Sequence, residues 1–185
     1  MIMMLAHGIS SAALFIMCGQ VYERVHTRDM RLMGGMRGQF PYLAFFLMFF
    51  VAALVGIPGL GNFIGEFLIL MGAYAQFPAF TILAAISLVF AGLYGLILIH
   101  KALFGVPNEA QKQHYTHPLK DLNAREIALL LICAFGLLWL GLYPQSFLDV
   151  SNSSMAWLAN SYIPVQEVVE VTNQVTTQLE NVEIQ

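Results

Sequence analysis

Charge is scarce in this sequence. The 185 residues include eight lysines and arginines and eleven aspartates and glutamates, so that 10% of the chain is charged and its net charge is −3. A soluble domain carries roughly 25% charged residues, whereas 58% of this chain is hydrophobic. The composition indicates an integral membrane protein in a lipid bilayer, and the small net charge argues against binding to nucleic acid.

Cysteine and the ligand patterns of cofactors are scarce as well. Cys18 and Cys133 lie in separate apolar segments without a partner at CxxC spacing, which favours buried, reduced thiols over a disulfide or a metal cluster. The glycines around Pro58 lack the Lys-Ser/Thr pair of a phosphate-binding loop, and no nucleophile paired with a base is apparent. We therefore predict no catalytic residue, no metal site and no cofactor in this chain.

The chain is apolar from its first residue. Residues 1–21 lack the positively charged region and the small-residue cleavage site of a signal peptide. The sequence therefore predicts a helix of the mature protein here. Because no polar leader precedes this helix, we expect the chain to be the C-terminal portion of a longer protein.

Apolar segments long enough to cross a bilayer dominate the sequence. We predict an all-α integral membrane fold with four transmembrane helices in a region that covers residues 1–163. The predicted spans are about 1–22, 40–76, 79–100 and 127–148. An acidic polar tail, 164–185, follows them.

The positive residues decide whether segment 40–76 crosses the membrane once or twice. All eight lysines and arginines lie in two loops, 23–38 and 101–126. Because cytoplasmic loops share an excess of positive charge, one interrupted crossing, which puts both loops on the same side, fits better than two. We predict a second helix that is discontinuous at Pro58, with both basic loops cytoplasmic and the tail on the opposite side of the membrane.

The predicted break has several helix-disrupting residues. Pro58 lacks an N–H, and Gly56, Gly59 and Gly61 have no side chain that enforces helical dihedral angles. Non-helical backbone at membrane depth is tolerated where it is buried in protein or lines a water-filled cavity, so we expect this helix to pack inside a larger bundle. Asn62 could hold the broken backbone or a water molecule. The alternative is an ordinary proline kink with a structural role only.

Glu66 is the only formal charge between Arg37 and Lys101. A carboxylate inside a membrane, beside polar backbone and water, can gain and lose a proton near neutral pH. Histidine titrates near physiological pH without tuning, and His7 lies within the first span. We predict that Glu66 and His7 belong to a proton relay. The alternatives are a permanently protonated or ion-paired Glu66 and a His7 that only packs.

His100 and Lys101 end the third predicted span. A lysine at this position can extend its amine to the lipid headgroups. We interpret the pair as an interfacial anchor, with a role in proton uptake as the alternative.

Three blocks of sequence stand out together. They are Ala6-His7-Gly8-Ile9-Ser10-Ser11 within 4–15, Tyr22-Glu23-Arg24-Val25-His26-Thr27 within 19–30 with Gly34-Gly35, and 56–67 with Asn62-Phe63-Ile64-Gly65-Glu66-Phe67. In this order they resemble the C-terminal part of the antiporter-like membrane subunit of respiratory complex I, the chain M or subunit 4 family of NADH:quinone oxidoreductases. The similarity covers about 1–162.

The resemblance implies a subunit of fourteen crossings, built from two inverted five-helix repeats and flanking helices, of which this chain would supply the last part. Glu66 would match the charged residue of the second discontinuous helix, on the exit path toward the periplasm. His7 would match the histidine of the central polar axis. The expected function is proton translocation coupled to electron transport in the membrane arm of NADH:quinone oxidoreductase.

The resemblance also implies which partners the chain needs. Flavin, iron–sulfur clusters and quinone would be handled by partner subunits. The expected partners are the other membrane subunits, the lipid bilayer and the missing N-terminal part of the same subunit. The family's first repeat and the central lysine of its second repeat would lie upstream of this sequence, and we match the acidic tail to no part of the family.

Three other functions are compatible with the same residues. Subunits of multi-subunit sodium/proton antiporters are similar in these blocks, and membrane-bound hydrogenases have related subunits. The loop 22–30 favours complex I over the antiporters. A different class of function is a structural membrane scaffold, in which Glu66 would be locked in a salt bridge.

Overall fold

A computed structural model describes residues 1–30, 33–105, 120–158 and 161. Within these ranges the regular elements are helices. The first compact unit, which extends from Met1 to Pro144, contains α1 (Ile2–Val25), α2 (Met36–Gln39), α3 (Pro41–Leu54), α4 (Gly61–Gln76), α5 (Pro78–Ile99) and α6 (Ala124–Leu142). A π-helical turn, His100–Phe104, continues α5.

Three helices are long and apolar enough to cross a membrane. They are α1 with a mean hydropathy of 1.8, α5 together with its π-helical turn at 2.6, and α6 at 1.9. A crossing needs about 20 residues, whereas α3 has 14 and α4 has 16. The all-helical membrane fold is thus confirmed, and α3 and α4 together account for the interrupted helix.

The contacts along α1 show that α3 and α4 form one crossing. Both helices pack on α1 in succession, and they run in the direction opposite to it. From the beginning of α1 to its end, the contacts are Met3 with Gly65, Ser10 with Asn62, and Arg24 with Asp121, whose carboxylate binds the start of α3. The predicted discontinuity at Pro58 is therefore confirmed.

The ends of both basic loops lie at the same end of the bundle. The Arg24 guanidinium at the end of α1 is 3.0 Å from the Glu126 carboxylate at the start of α6. The Arg37 guanidinium lies over the Phe104 ring, 5.2 Å from its centre. One interrupted crossing between the loops requires this arrangement.

The core lies where α1, α3 and α6 meet. Its largest buried side chains include Met17, Leu43, Phe50 and Leu137. Helix α5, in contrast, buries only Thr81 and Gly95 among its residues. In a membrane, apolar surface of this kind is covered by lipid or by neighbouring protein.

The last predicted span differs from the observed helix. Helix α6 ends at Leu142 rather than at position 148, because Pro144 disfavours helical dihedral angles at Tyr143. The ψ angle of Tyr143 is 61°, outside the helical region. The second unit, 145–185, has a helix at 145–158, which we name α7. The predicted acidic tail, 164–185, lies outside the described residues.

Asp121 caps helix α3 from a distant part of the chain. Its carboxylate accepts hydrogen bonds from the backbone N–H groups of Tyr42 at 2.8 Å and Leu43 at 3.2 Å. Helix α3 lacks a capping side chain of its own. The carboxylate also has a favourable interaction with the positive end of the helix dipole.

Replacing Asp121 by alanine is expected to destabilise the protein by about 1 kcal/mol, since it removes the acceptor at this helix end. Denaturation of the purified protein in mixed micelles measures the loss. Asp121→Asn keeps one acceptor oxygen and should lose less. Unchanged stability of Asp121→Ala would show that the cap contributes nothing.

Candidate functional site around the helix break

The backbone between α3 and α4 forms a tight turn. The N–H of Gly56 donates to the carbonyl of Ala53, and the N–H of Ile57 donates to the carbonyl of Ala52, both at 3.2 Å. Gly56 and Gly59 have φ angles of 78° and 99°. Only glycine adopts this left-handed region without strain, so these two glycines permit the turn.

Asn62 connects the turn to α1 through hydrogen bonds. Its side chain is fully buried, and its Nδ2 donates hydrogen bonds to the Ala53 carbonyl at 2.8 Å and to Ser10 Oγ at 3.0 Å. The Ser10 hydroxyl in turn donates to the carbonyl of His7 at 3.1 Å. The end of α3, the start of α4 and the middle of α1 are therefore held by one hydrogen-bonded group.

Glycines also allow close packing around the turn. A Cβ atom at Gly61 would lie 2.8 Å from Leu140 Cβ and 3.0 Å from Ala6 Cβ. A Cβ atom at Gly65 would lie 2.7 Å from Met3. Small residues at helix contacts let backbones approach closely in membranes. The start of α4 is thus wedged between α1 and α6.

The Glu66 carboxylate lies against the turn. The side chain is partly buried and leans back toward the N-terminus of α4, so that Oε2 occupies the space where a Cβ of Gly56 would stand. Among the described residues, no cation lies within ion-pair distance of it. Its carboxylate and the His7 imidazole are close enough to interact electrostatically.

His7 projects from α1 on an exposed surface. Its Nδ1 is 3.3 Å from the hydroxyl of Ser11, one turn further along the helix. The structure therefore brings His7, Asn62 and Glu66 together at the break, although α1 and α4 are far apart in sequence.

His100 and Lys101 are not part of this group. Both are exposed in the π-helical turn after α5. This turn lies at the end of the bundle that holds Arg37. Glu66, in contrast, comes directly after Gly65, which packs against Met3 at the beginning of α1. The two sets of titratable residues thus belong to different ends of the bundle.

The sequence reasoning missed the role of Arg24. We expected it in a basic loop, but it lies in the last turn of α1 with a relative exposure of 7%. Its guanidinium binds the Glu126 carboxylate and the backbone carbonyls of Lys120 and Asp121. No local signal distinguishes it from the other loop arginines, because its partners are distant in sequence.

Among the described residues, no three His, Cys, Asp or Glu side chains lie close enough to hold a metal ion.

An apolar cleft of about 490 Å³ lies between α1, α3 and α5. Its lining includes Leu14, Met36 and Val51, but neither His7 nor Glu66, so it is separate from the polar group at the break.

Residues 1–99 match the family described as "NADH:quinone oxidoreductase/Mrp antiporter, TM". The NADH-quinone oxidoreductase subunit M of Pseudomonas aeruginosa is 51% identical over 154 residues, which are 83% of this chain and 29% of that protein. The subunit M of Escherichia coli K12 is 44% identical over 164 residues, which are 86% of this chain and 32% of that protein.

A solved structure has the same fold. The respiratory complex I from Thermus thermophilus with bound NADH contains a chain that matches with a TM-score of 0.69 and 32% identity. The match covers 77% of this chain and 29% of that chain. This chain therefore spans about a third of the length of the proteins that it matches.

Proposed function

Because the chain belongs to the NADH:quinone oxidoreductase/Mrp antiporter transmembrane family, we propose that it is part of a subunit that translocates protons in the membrane arm of NADH:quinone oxidoreductase. Its relatives from Pseudomonas aeruginosa and Escherichia coli bear the name of that enzyme's subunit M. The chain is a multi-pass membrane protein, and its proposed location is a bacterial inner membrane.

The polar group at the break carries this proposal. The Glu66 carboxylate lies against the non-helical backbone of the interrupted crossing, and the His7 imidazole on the neighbouring helix α1 is close enough to interact with it electrostatically. Titratable residues inside membranes, beside interrupted helices, mark ion and proton paths. Protons would pass along water and polar groups from His7 to Glu66 and leave from there.

The direction of the path follows from the loops. The described ends of both basic loops lie at one end of the bundle, and their excess of positive charge favours a cytoplasmic position for that end. Glu66 lies beyond the middle of the interrupted crossing, toward the other end, which supports an exit role on the periplasmic side. By the same argument the acidic tail would lie in the periplasm, and His100 and Lys101 would lie at the cytoplasmic surface.

The energy for translocation would come from partner subunits. Flavin, iron–sulfur clusters and quinone would be bound there, and this chain would hold none of them. Since the chain spans about a third of the length of its relatives, an upstream part of the same subunit would be a further partner, together with the other membrane subunits.

Replacing Glu66 by glutamine is expected to reduce proton translocation per electron strongly, because the amide cannot release a proton. The measurement uses the assembled complex in proteoliposomes, with electron transfer and acidification recorded together. Glu23→Gln is the matched control, since Glu23 is exposed at the end of α1. Unchanged pumping by the Glu66 variant would refute the relay role and favour a structural scaffold.

The family description also includes Mrp antiporters, which makes a sodium/proton antiporter subunit the second candidate. The two candidates differ in the coupled ion. Proteoliposomes with the complete complex should acidify in sodium-free buffer at the same rate as in sodium buffer if the first candidate is correct. A strict requirement for sodium would favour the antiporter.

A further inference from the structure

Asn62 has one polar atom that the described residues leave without a partner. The side chain is fully buried, and its Oδ1 accepts no hydrogen bond from them. A buried acceptor without a donor is rare in proteins. Both Nδ2 protons are used, by the Ala53 carbonyl and by Ser10 Oγ.

The orientation of this amide is fixed by its partners. The Ala53 carbonyl can only accept a hydrogen bond, so the atom that faces it must be Nδ2. Ser10 cannot serve Oδ1 either, because its single hydroxyl proton is donated to the carbonyl of His7. The donor for Oδ1 must therefore be a group other than these neighbours.

Asn62 and Glu66 face the same turn of backbone. They are four residues apart on α4, and side chains at this spacing lie on one face of a helix. The Asn62 amide holds the carbonyl of Ala53, and the Glu66 carboxylate lies against Gly56. The turn at 53–56 is thus flanked by an unpaired amide oxygen and by a carboxylate.

We propose that Asn62 is a positioning residue for Glu66, and that its Oδ1 holds a water molecule which also bonds to the Glu66 carboxyl group. The water donates to both oxygens when Glu66 is ionised. When Glu66 is protonated, its O–H donates to the same water. The inference rests on the proposed proton-relay function and assigns the water molecule through which Glu66 exchanges its proton.

The amide itself does not relay protons in this arrangement. Its two N–H groups stay bound to the Ala53 carbonyl and to Ser10, and they hold the helix break in place. Water molecules with two to four polar partners are integral parts of protein interiors. Asn62 therefore links the shape of the break to the position of the exchanging water.

A map of the unmodified assembled complex, at a resolution that shows water, gives the direct test. A water peak is expected about 2.7 to 3.2 Å from Asn62 Oδ1 and within the same distance of a Glu66 carboxyl oxygen. A side-chain donor from another segment at Oδ1, or a peak that does not reach Glu66, would overturn the proposal.

Infrared difference spectroscopy of the same complex gives the second test. The carbonyl band of protonated Glu66, identified by its loss in Glu66→Gln, is expected at higher frequency in Asn62→Leu. Proton translocation should fall roughly three- to tenfold, the factor that one net hydrogen bond contributes. Ser10→Ala removes a partner of Nδ2 but keeps Oδ1, so its Glu66 band should not move.

The outcomes separate this inference from the proposed function. If Glu66→Gln pumps normally, the relay role itself is wrong. If Glu66→Gln stops pumping while Asn62→Leu leaves the band and the rate unchanged, only the role of Asn62 is wrong. A Glu66 band that shifts equally in Asn62→Leu and Ser10→Ala would indicate that Asn62 only holds the helix break in place. This result would also refute the proposal. If Asn62→Leu does not assemble, the map decides.

Discussion

Replacing Gly141 by alanine is expected to lower the free energy of unfolding by about 3 kcal/mol, the upper part of the range for overpacked cores. A Cβ atom at this position of α6 would collide with the carbonyl oxygen of Gly59 and lie 2.6 Å from the carbonyl carbon of Leu60. These are backbone atoms of the turn at the helix break, so no side-chain rotation relieves the contact.

Gly136 supplies the matched control on the same helix. A Cβ atom there would meet only Ile9 Cδ1, at an ordinary contact distance of 3.5 Å. Gly136→Ala should therefore stabilise the protein by up to about 1 kcal/mol, through the higher helix propensity of alanine. Denaturation in mixed micelles measures both variants. Similar stability changes in both would show that α6 does not press on the turn.

The same contact links α6 to the candidate proton site. Helix α6 supports one side of the turn through Gly141, and α1 supports the other side through Ser10 and Asn62. Glu66 lies against Gly56 in this turn. A displaced turn should therefore move the carboxylate, and Gly141→Ala should lower proton translocation in those complexes that still assemble.

The break and its carboxylate could be predicted from sequence because their signals are local. Proline and glycine disturb helical backbone wherever they occur, and one charge in a long apolar segment is conspicuous. The single crossing could be inferred because charge asymmetry reports on topology. The structure agrees with the break at Pro58 and places the described ends of both basic loops at one end of the bundle.

The partners of these residues could not be predicted in the same way. Asp121 caps a helix that begins at Pro41, and Gly141 touches Gly59. Such pairs depend on which helices become neighbours, and periodicity and composition do not specify this. The end of α6 was misplaced because the apolar sequence continues past Tyr143, whereas backbone sterics before Pro144 end the helix.

Arg24 is the other residue whose loss should have a large effect. Its guanidinium is 3.0 Å from the Glu126 carboxylate, and the two side chains have relative exposures of 8% and 15%. Arg24→Met would leave the largely buried Glu126 charge without its cationic partner. Breaking a buried pair on one side costs about 3 to 5 kcal/mol, and we expect a loss of stability in this range.

Two variants separate the buried charge from other effects of the substitution. Arg28→Met is the control, because Arg28 is exposed and lies over the Tyr22 ring at 4.8 Å, an interaction worth about 0.5 to 1 kcal/mol. Combining Arg24→Met with Glu126→Gln removes the unpaired charge and should recover part of the stability. No recovery would mean that the backbone contacts of Arg24, rather than the ion pair, dominate.

The position of Arg24 predicts which property its loss leaves intact. The ion pair joins the end of α1 to the start of α6, at the end of the bundle with the described ends of the basic loops. Asn62 and Glu66 belong to the helix break, which packs against the first half of α1. Fewer complexes should therefore assemble with Arg24→Met, but each should translocate protons at a normal ratio to electrons. Proteoliposome measurements normalised to assembled complex test this, and a reduced ratio would place Arg24 in the proton path.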